Sequence, residues 1–111
     1  MESHVGWDSK LKVGSIELSN RVVMSALTRE RCPVNGVPTD LVAEYYAQRA
    51  SAGLIFTETT AWCQRGRSSA GSANLYTLEQ AEGWKKVTDA IHQKKGLIFV
   101  QINHAGRSTN S

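Results

Sequence analysis

Short apolar runs recur along the chain, and each becomes polar at its end. Residues 22–24, 54–56 and 97–100 are the clearest runs, and valine, isoleucine, leucine and phenylalanine make up most of them. Runs of this kind are typical of strands buried on both faces of a parallel sheet. The polar residues that follow each run then lie at a strand's carboxyl end, where such sheets bind ligands. The pattern therefore predicts three main strands with a site at their carboxyl ends.

Two segments between these runs have apolar residues at helical spacing. The first helix is expected to begin after Thr39 as N-cap and to end near Ala52, with Gly53 in the position after it. The second opens at Thr77, where Gln80 completes a capping box, and Gly96 closes it. In the first helix the residues that fall on one side at helical spacing are Leu41, Val42, Tyr45, Tyr46 and Arg49. In the second helix the apolar stripe consists of Ala81, Trp84, Val87 or Thr88, and Ile91.

The order of these elements predicts an α/β fold. Residues 12–18 are expected to form a small hairpin or short extended segment before the first main strand. Strand, helix, strand, helix and strand then follow, which implies parallel strands joined by right-handed crossovers. The long loops, including one expected over residues 61–76, follow the strands. Barrels and doubly wound sheets both place their sites there, so the pattern alone leaves both architectures open.

Composition excludes several classes of function. The chain has 111 residues with a formal net charge of +3, too weak a charge to indicate nucleic-acid binding. No apolar run approaches the roughly 18 residues of a membrane span, and the polar first residues predict no secretion signal. Cys32 and Cys63 lack C-x-x-C spacing, which favours a reducing, cytoplasmic location. The histidines form no metal-ligand pattern with them.

The polar groups at the predicted strand ends are mostly neutral hydroxyls and amides. They are Thr28 after the first strand, Thr57 to Thr60 at the end of the second, and Gln101, Asn103, His104 and Arg107 around the third. Such groups suit a heteroaromatic edge that carries both acceptors and a donor, as the pyrimidine ring of a flavin does. Neither a G-x-G-x-x-G nor a P-loop nor a G-x-S-x-G motif is present. Glu58 has no second carboxylate beside it and is expected to be a buried partner for an arginine. His104 and Arg107 are expected to have structural roles and not catalytic ones.

Five segments together resemble the amino-terminal part of the old yellow enzyme family of NADH:flavin oxidoreductases. They are residues 18–29 (LSNRVVMSALTR), 37–55, 57–59 (TET), 82–92 and 100–107 (VQINHAGR). The resemblance covers nearly the whole chain in the right order. It implies a partial (β/α)8 TIM barrel with about the first three strands and two helices, as a single incomplete domain over residues 1–111. It also implies FMN as cofactor, NAD(P)H as reductant and a small α,β-unsaturated carbonyl compound as substrate.

The resemblance also implies roles for particular residues in binding the flavin. Thr28 would hydrogen-bond near O4 and N5, and Ser25, Ala26 and Leu27 would line the isoalloxazine ring. Thr59 would contact the flavin through its backbone, and Gln101 would bond the pyrimidine edge at O2 and N3. Ala26 stands where the family commonly has proline, and Asn103 where many members have an aromatic residue. No catalytic residue and no metal ligand is assigned.

Length separates this chain from a whole barrel, which needs about 250 residues. The family's substrate-anchoring pair, tyrosine proton donor and phosphate-binding loops come later in the sequence than these 111 residues. The alternative is therefore a non-catalytic remnant or truncated product that acts only by association. Open strand edges would favour self-association. By itself the chain is expected to retain no FMN and to reduce no alkene.

Overall fold

The computed structural model describes residues 5–33, 35–67 and 71–108. It contains six strands, two α-helices and two short 3-10 turns within those residues. In chain order the elements are β1 (Leu11–Val13), β2 (Ile16–Leu18), β3 (Val23–Met24), α1 (Asp40–Ala47), β4 (Leu54–Ala61), a 3-10 turn at Gln64–Gly66, β5 (Ala73–Asn74), α2 (Leu78–Gln93), β6 (Ile98–Asn103) and a 3-10 turn at Gly106–Ser108.

The predicted hairpin is present as the antiparallel pair β1 and β2. Leu11 pairs with Leu18, and Val13 pairs with Ile16 across the turn. Gly14 occupies that turn with a φ of +59°, a conformation that glycine adopts without steric cost. The hairpin is therefore fixed by local turn chemistry that the sequence already contains.

The main sheet is parallel throughout, and β4 is its central strand. Ile55 of β4 pairs with Met24 of β3 on one side and with Ile98 of β6 on the other. β6 pairs with β4 along one side, from Ile55 to Ala61. β5 pairs with Thr60 and Ala61 on the other side, which is the side of β3. The three predicted strands are thus parallel and neighbours in chain order, as expected of successive strand–helix units.

Both helices pack on the same face of this sheet. One buried cluster joins residues of α1, α2 and β4: Val42, Ala43, Tyr46, Ile55, Trp84, Val87 and Ile91. Helices on a single face agree with the predicted barrel, in which all crossovers lie outside the strands. A doubly wound sheet would place them on opposite faces.

Part of the predicted apolar side of each helix was wrong. Leu41 is 75% exposed, and Ala43 takes the core position beside Val42. In α2, Ala81 of the predicted apolar stripe is exposed, and its neighbour Gln80 is buried instead. Gln80 is satisfied there because its Oε1 accepts from the Thr77 backbone N–H at 3.1 Å and its Nε2 donates to a backbone oxygen at 2.8 Å. The capping box that uses this glutamine is confirmed.

The first helix also ends earlier than predicted, at Ala47 rather than near Ala52. Shorter turns follow it, in which Ala50 N–H donates to Ala47 O and Ala52 N–H donates to Arg49 O. Gly53 is required by close approach and not by a left-handed cap, since a Cβ there would collide with the backbone oxygen of Asn20.

The long loop predicted over residues 61–76 contains structure of its own. A 3-10 turn covers Gln64–Gly66, and β5 then pairs with the end of β4. Leu75 N–H also donates to Ala61 O at 2.8 Å. A strand of two residues has no periodicity to detect, so tertiary pairing alone reveals it.

Candidate functional site

The sheet has a second face, turned away from the helices. Side chains alternate along a strand, so the neighbours of the helix-facing residues Ile55 and Ile98 point to this second face. Those neighbours are Phe56 and Phe99, whose ring centroids lie 6.2 Å apart. Phe99 is 49% exposed, so the pair forms an open apolar surface.

Polar residues lie above this aromatic pair, at the carboxyl ends of the strands. Thr59 of β4 stands in register with Gln101 of β6. The Oγ1 atom of Thr28, on the segment after β3, lies 3.4 Å from Oγ1 of Thr59. The structure thus brings together Thr28, Thr59 and Gln101, three of the residues predicted from the sequence, at one edge of the sheet.

Gln101 has an exposed side chain at this edge, and its backbone N–H is hydrogen-bonded. Its N–H donates to Oγ1 of the buried Thr57 at 3.0 Å. This contact lies at the register shift of β4 between Phe56 and Thr59. The side-chain amide is exposed, and none of the described residues hydrogen-bonds it. It is therefore free to meet a ligand that needs a donor and an acceptor together.

The remaining predicted residues lie on the segment between β3 and Thr28. Ser25 is exposed, Ala26 is half-buried, and Leu27 is 60% exposed. Within the described part of the chain, no side-chain hydrogen bond joins Ser25 to Thr59 or Gln101. Their placement at the carboxyl end of β3 follows from chain connectivity, and a lining role for them stays a prediction.

A buried polar pair lies on the helix side of the same strand end. The hydroxyl of Tyr46 donates to Glu58 Oε1 at 3.1 Å and accepts from the Glu58 backbone N–H at 2.9 Å. Glu58 is only 2% exposed, and burial raises the pKa of its carboxyl above the ordinary value. The Tyr46 hydroxyl and the nearby Arg29 partly oppose that rise in pKa.

The sequence reading gave Glu58 an arginine partner and assigned Tyr46 to packing alone. Glu58 is buried near an arginine, as predicted, because Arg29 acts on its carboxyl as a nearby charge and through its backbone. The prediction missed the Tyr46 hydroxyl, which hydrogen-bonds the same carboxyl. The signal in the sequence for this contact was a tyrosine, Tyr46, on the core-facing side of a helix that packs against a strand with a single carboxylate, Glu58.

Cys32 lies close to this buried pair. Burial, together with the negative charge of Glu58, raises the pKa of its thiol to about 11. Both Cys32 and Cys63 are free thiols in the structure. Cys32 is buried, so its sulfur behaves as part of the core and not as a nucleophile.

His104, just past β6, packs against the turn that follows β4. Its ring lies 5.7 Å from that of Trp62, and its Nδ1 accepts from the Gly106 backbone N–H at 2.9 Å. The next residue, Ala105, donates its N–H to Gly66 O at 3.0 Å. His104 therefore contacts both loops, and a structural role for it stays a prediction.

Within residues 5–33, 35–67 and 71–108, no three His, Cys, Asp or Glu side chains gather as a metal site would require. No helix in that part of the chain is long and apolar enough to cross a membrane.

Comparison with known proteins identifies the relatives of this chain. The sequence model of the NADH:flavin oxidoreductase / NADH oxidase family matches residues 9–111. A probable flavin mononucleotide-dependent alkene reductase of Leishmania infantum is 50% identical over 100 residues, which are 89% of this chain and 27% of that protein. The 12-oxophytodienoate reductase 1 of Oryza sativa subsp. japonica is 43% identical over 97 residues, 86% of this chain and 25% of that protein.

Solved structures agree with this result. Morphinone reductase in complex with tetrahydroNAD has a TM-score of 0.91 at 42% identity, covering 96% of this chain and 29% of that one. The old yellow enzyme from Trypanosoma cruzi has a TM-score of 0.88 at 40% identity, covering 93% and 28% respectively. These enzymes are TIM barrels, so the predicted fold class is confirmed. The chain spans about a quarter of the length of the relatives that it matches.

Proposed function

The chain belongs to the NADH:flavin oxidoreductase / NADH oxidase family, and we propose that it forms one wall of the flavin site of an FMN-dependent alkene reductase. The observation that supports this most is the grouping of Thr28, Thr59 and Gln101 at one strand-end edge. Two of the relatives above are named as an alkene reductase and an oxophytodienoate reductase.

The chemistry of the donor set fits a flavin. The exposed Gln101 amide can donate to one pyrimidine oxygen and accept from the adjacent N3–H. The hydroxyls of Thr28 and Thr59 are neutral groups that can serve another part of the ring edge. The open Phe56–Phe99 surface below them is apolar, as the body of a planar ring requires.

FMN bound at this edge would supply the redox chemistry, which is hydride transfer from NAD(P)H to the β-carbon of an alkene conjugated to a carbonyl. The residues of this chain would bind and orient the ring edge. Thr28 would hydrogen-bond near O4 and N5, Thr59 would contribute backbone contact, and Gln101 would hold O2 and N3. Ser25, Ala26 and Leu27 would line the ring. No described residue is assigned the proton transfer.

The proposed substrate is a small α,β-unsaturated carbonyl compound, and the proposed reductant is NADH or NADPH. The Oryza relative named as an oxophytodienoate reductase and the morphinone reductase solved with tetrahydroNAD support this class of reaction. Two free cysteines are consistent with a reducing, cytoplasmic location, which we also propose.

The second candidate function is association without catalysis. β6 lies at an edge of the described sheet and exposes Val100 and Ile102, the latter 62% exposed. Unpaired edges of parallel sheets favour pairing with another chain. This candidate needs no flavin at the Thr28–Thr59–Gln101 edge.

A chimera distinguishes the two functions. Residues 9–111 would replace the matching quarter of morphinone reductase, which supplies the rest of the barrel. If residues 9–111 form one wall of the flavin site, the chimera should reduce an α,β-unsaturated ketone with NADH or NADPH as electron donor. A folded chimera without such reduction would favour association. A chimera that exchanges the same segment from the Trypanosoma cruzi enzyme controls for the junctions.

A further inference from the structure

The two threonines at the proposed flavin edge are each bonded in sequence to a charged residue. Arg29 follows Thr28, and Glu58 precedes Thr59. The threonine hydroxyls approach to 3.4 Å, whereas the charged neighbours lie near each other on the helix side, where Arg29 affects the titration of Glu58. The end of β4 and the segment after β3 therefore meet at the two threonine hydroxyls, and Arg29 lies near Glu58 on the helix side.

Glu58 is held firmly from the helix layer. Its carboxylate and its own backbone N–H both hydrogen-bond the hydroxyl of Tyr46, at 3.1 and 2.9 Å. Its backbone oxygen accepts from the hydroxyls of Thr57 and Thr60, each at 2.9 Å. Because these contacts are buried, the Glu58 carboxylate has a fixed position relative to α1.

Arg29 is fixed by aromatic stacking. Its guanidinium carbon lies 3.5 Å from the centre of the Tyr45 ring, and Tyr45 packs edge-on against Tyr46 at 5.2 Å. Its Nη1 atom is buried and has no hydrogen-bond partner among the described residues. The guanidinium therefore adds positive charge beside Glu58 without a direct ion pair within the described chain.

We propose that Glu58 is a positioning residue for the flavin edge: anchored by the Tyr46 hydroxyl, it holds the Thr28–Arg29 segment against the end of β4 and so sets the place of the Thr28 hydroxyl beside Thr59. This inference rests on the proposed function, because that function assigns the Thr28 hydroxyl to a contact with the flavin. Glu58 itself faces the helices and does not touch the ring edge.

Burial of a carboxylate at this position is costly, which argues for a specific role. Replacing a buried ionic group by well-packed apolar residues is often neutral or stabilising, so stability alone does not account for a buried carboxylate. Apolar packing at Glu58 could stabilise the core, but it could not hold the polar Thr28–Arg29 backbone in one place.

Hydrogen–deuterium exchange of the full chain tests the inference without any flavin. In Glu58→Val, the Arg29 backbone loses its interaction with the Glu58 carboxyl, so the peptide over residues 26–31 should exchange about tenfold faster, as expected from loss of roughly one hydrogen bond's net free energy. Amides in the middle of α2 should keep their exchange rates. Glu58→Gln keeps an acceptor of the same shape and should restore slow exchange in residues 26–31.

Two further variants distinguish a local loss of positioning from general unfolding of the chain. Tyr46→Phe keeps the buried ring but removes the hydroxyl that anchors Glu58, and it should speed exchange of residues 26–31 in the same way. Glu44→Gln changes an exposed carboxylate of α1 and should change nothing. Unchanged exchange of residues 26–31 in Tyr46→Phe and Glu58→Val, or equal acceleration across α2, would overturn the inference.

Failure of the proposed function would look different. If the chimera takes up no FMN while the exchange pattern above is observed, the positioning of Thr28 stands and the flavin assignment is wrong. If FMN is bound and the exchange pattern is absent, the flavin site stands and Glu58 has no positioning role.

Discussion

The hydroxyl oxygens of Thr28 and Thr59 lie 3.4 Å apart, although 31 residues separate them along the chain. Thr28 follows the short strand β3, and Thr59 lies near the end of the central strand β4. Parallel pairing of these strands, which begins at Val23 and Leu54, places their carboxyl ends side by side. The proposed flavin edge therefore depends on the register of the sheet as much as on the residues themselves.

The first prediction concerns the two side chains expected to bond the flavin. In the chimera with morphinone reductase, Thr28→Ala should weaken FMN binding by up to about tenfold, because it removes one hydrogen bond of roughly 0.5–1.5 kcal/mol. Gln101→Ala should weaken it further, because it removes two such bonds. Fluorescence titration of the apoprotein with FMN measures the dissociation constants. Ser51→Ala, an exposed change in the turn before the amino end of β4, is the matched control. Normal affinity in both variants would refute the assignments.

A second prediction concerns the two thiols. Thiolates are the reactive form of cysteine, and a pKa of about 11 leaves Cys32 almost entirely protonated at pH 8. Cys32 is also buried, whereas Cys63 is half-buried. A disulfide dye should therefore modify Cys63 well before Cys32, and Cys63→Ser should leave a single slow thiol. Equal rates for both thiols would contradict the placement of Cys32 in the core.

A third prediction follows from the raised pKa of Glu58. A carboxyl whose pKa is higher in the folded state than in the unfolded state favours folding in its protonated form. That contribution is present below the unfolded pKa of about 4.3 and is lost as pH rises through the folded pKa. Glu58→Gln imitates the protonated acid, so its stability relative to the parent chain should increase from pH 4 towards neutrality.

Urea unfolding at a series of pH values measures this difference. Two other groups near the carboxyl do not titrate in that window, because burial raises the pKa of Tyr46 above its ordinary value and that of Cys32 to about 11. Glu44→Gln provides the exposed control. A difference between Glu58→Gln and the parent chain that stays constant with pH would be inconsistent with a titrating Glu58.

A fourth prediction concerns the 111-residue chain by itself. Its Phe99, Val100 and Ile102 side chains are substantially exposed along β6, an edge of the described sheet. Exposed apolar surface next to an unpaired edge favours association. Analytical ultracentrifugation should find oligomers, and Ile102→Lys should shift them towards the monomer. A monodisperse monomer with a cooperative thermal transition would count against this prediction.

Local signals made some of the fold predictable from the sequence. The capping box at Thr77 and Gln80 involves residues three positions apart, so it was visible directly and is confirmed. Strand β4 was predicted from its apolar start and polar end. Where two adjacent residues were both apolar, as at Leu41 and Val42, periodicity did not decide which one was buried.

Long-range contacts account for what the sequence did not reveal. The Tyr46–Glu58 hydrogen bonds cross from helix to sheet, and the irregular register of β4 turns Glu58 towards the helices. Strand β5 consists of two residues and exists only through its pairing with β4. Thr28 and Gln101 could be chosen as polar strand ends, but their flavin roles came from family resemblance and not from spacing.

FMN content of the purified proteins tests the central claim most directly. The chimera that carries residues 9–111 should purify yellow, with about one FMN per chain by absorbance. The 111-residue chain alone should be colourless, because a few neutral hydrogen bonds of roughly 0.5–1.5 kcal/mol each do not exceed the several kcal/mol needed to order a ligand. A folded but colourless chimera would contradict the claim that these residues form one wall of a flavin site.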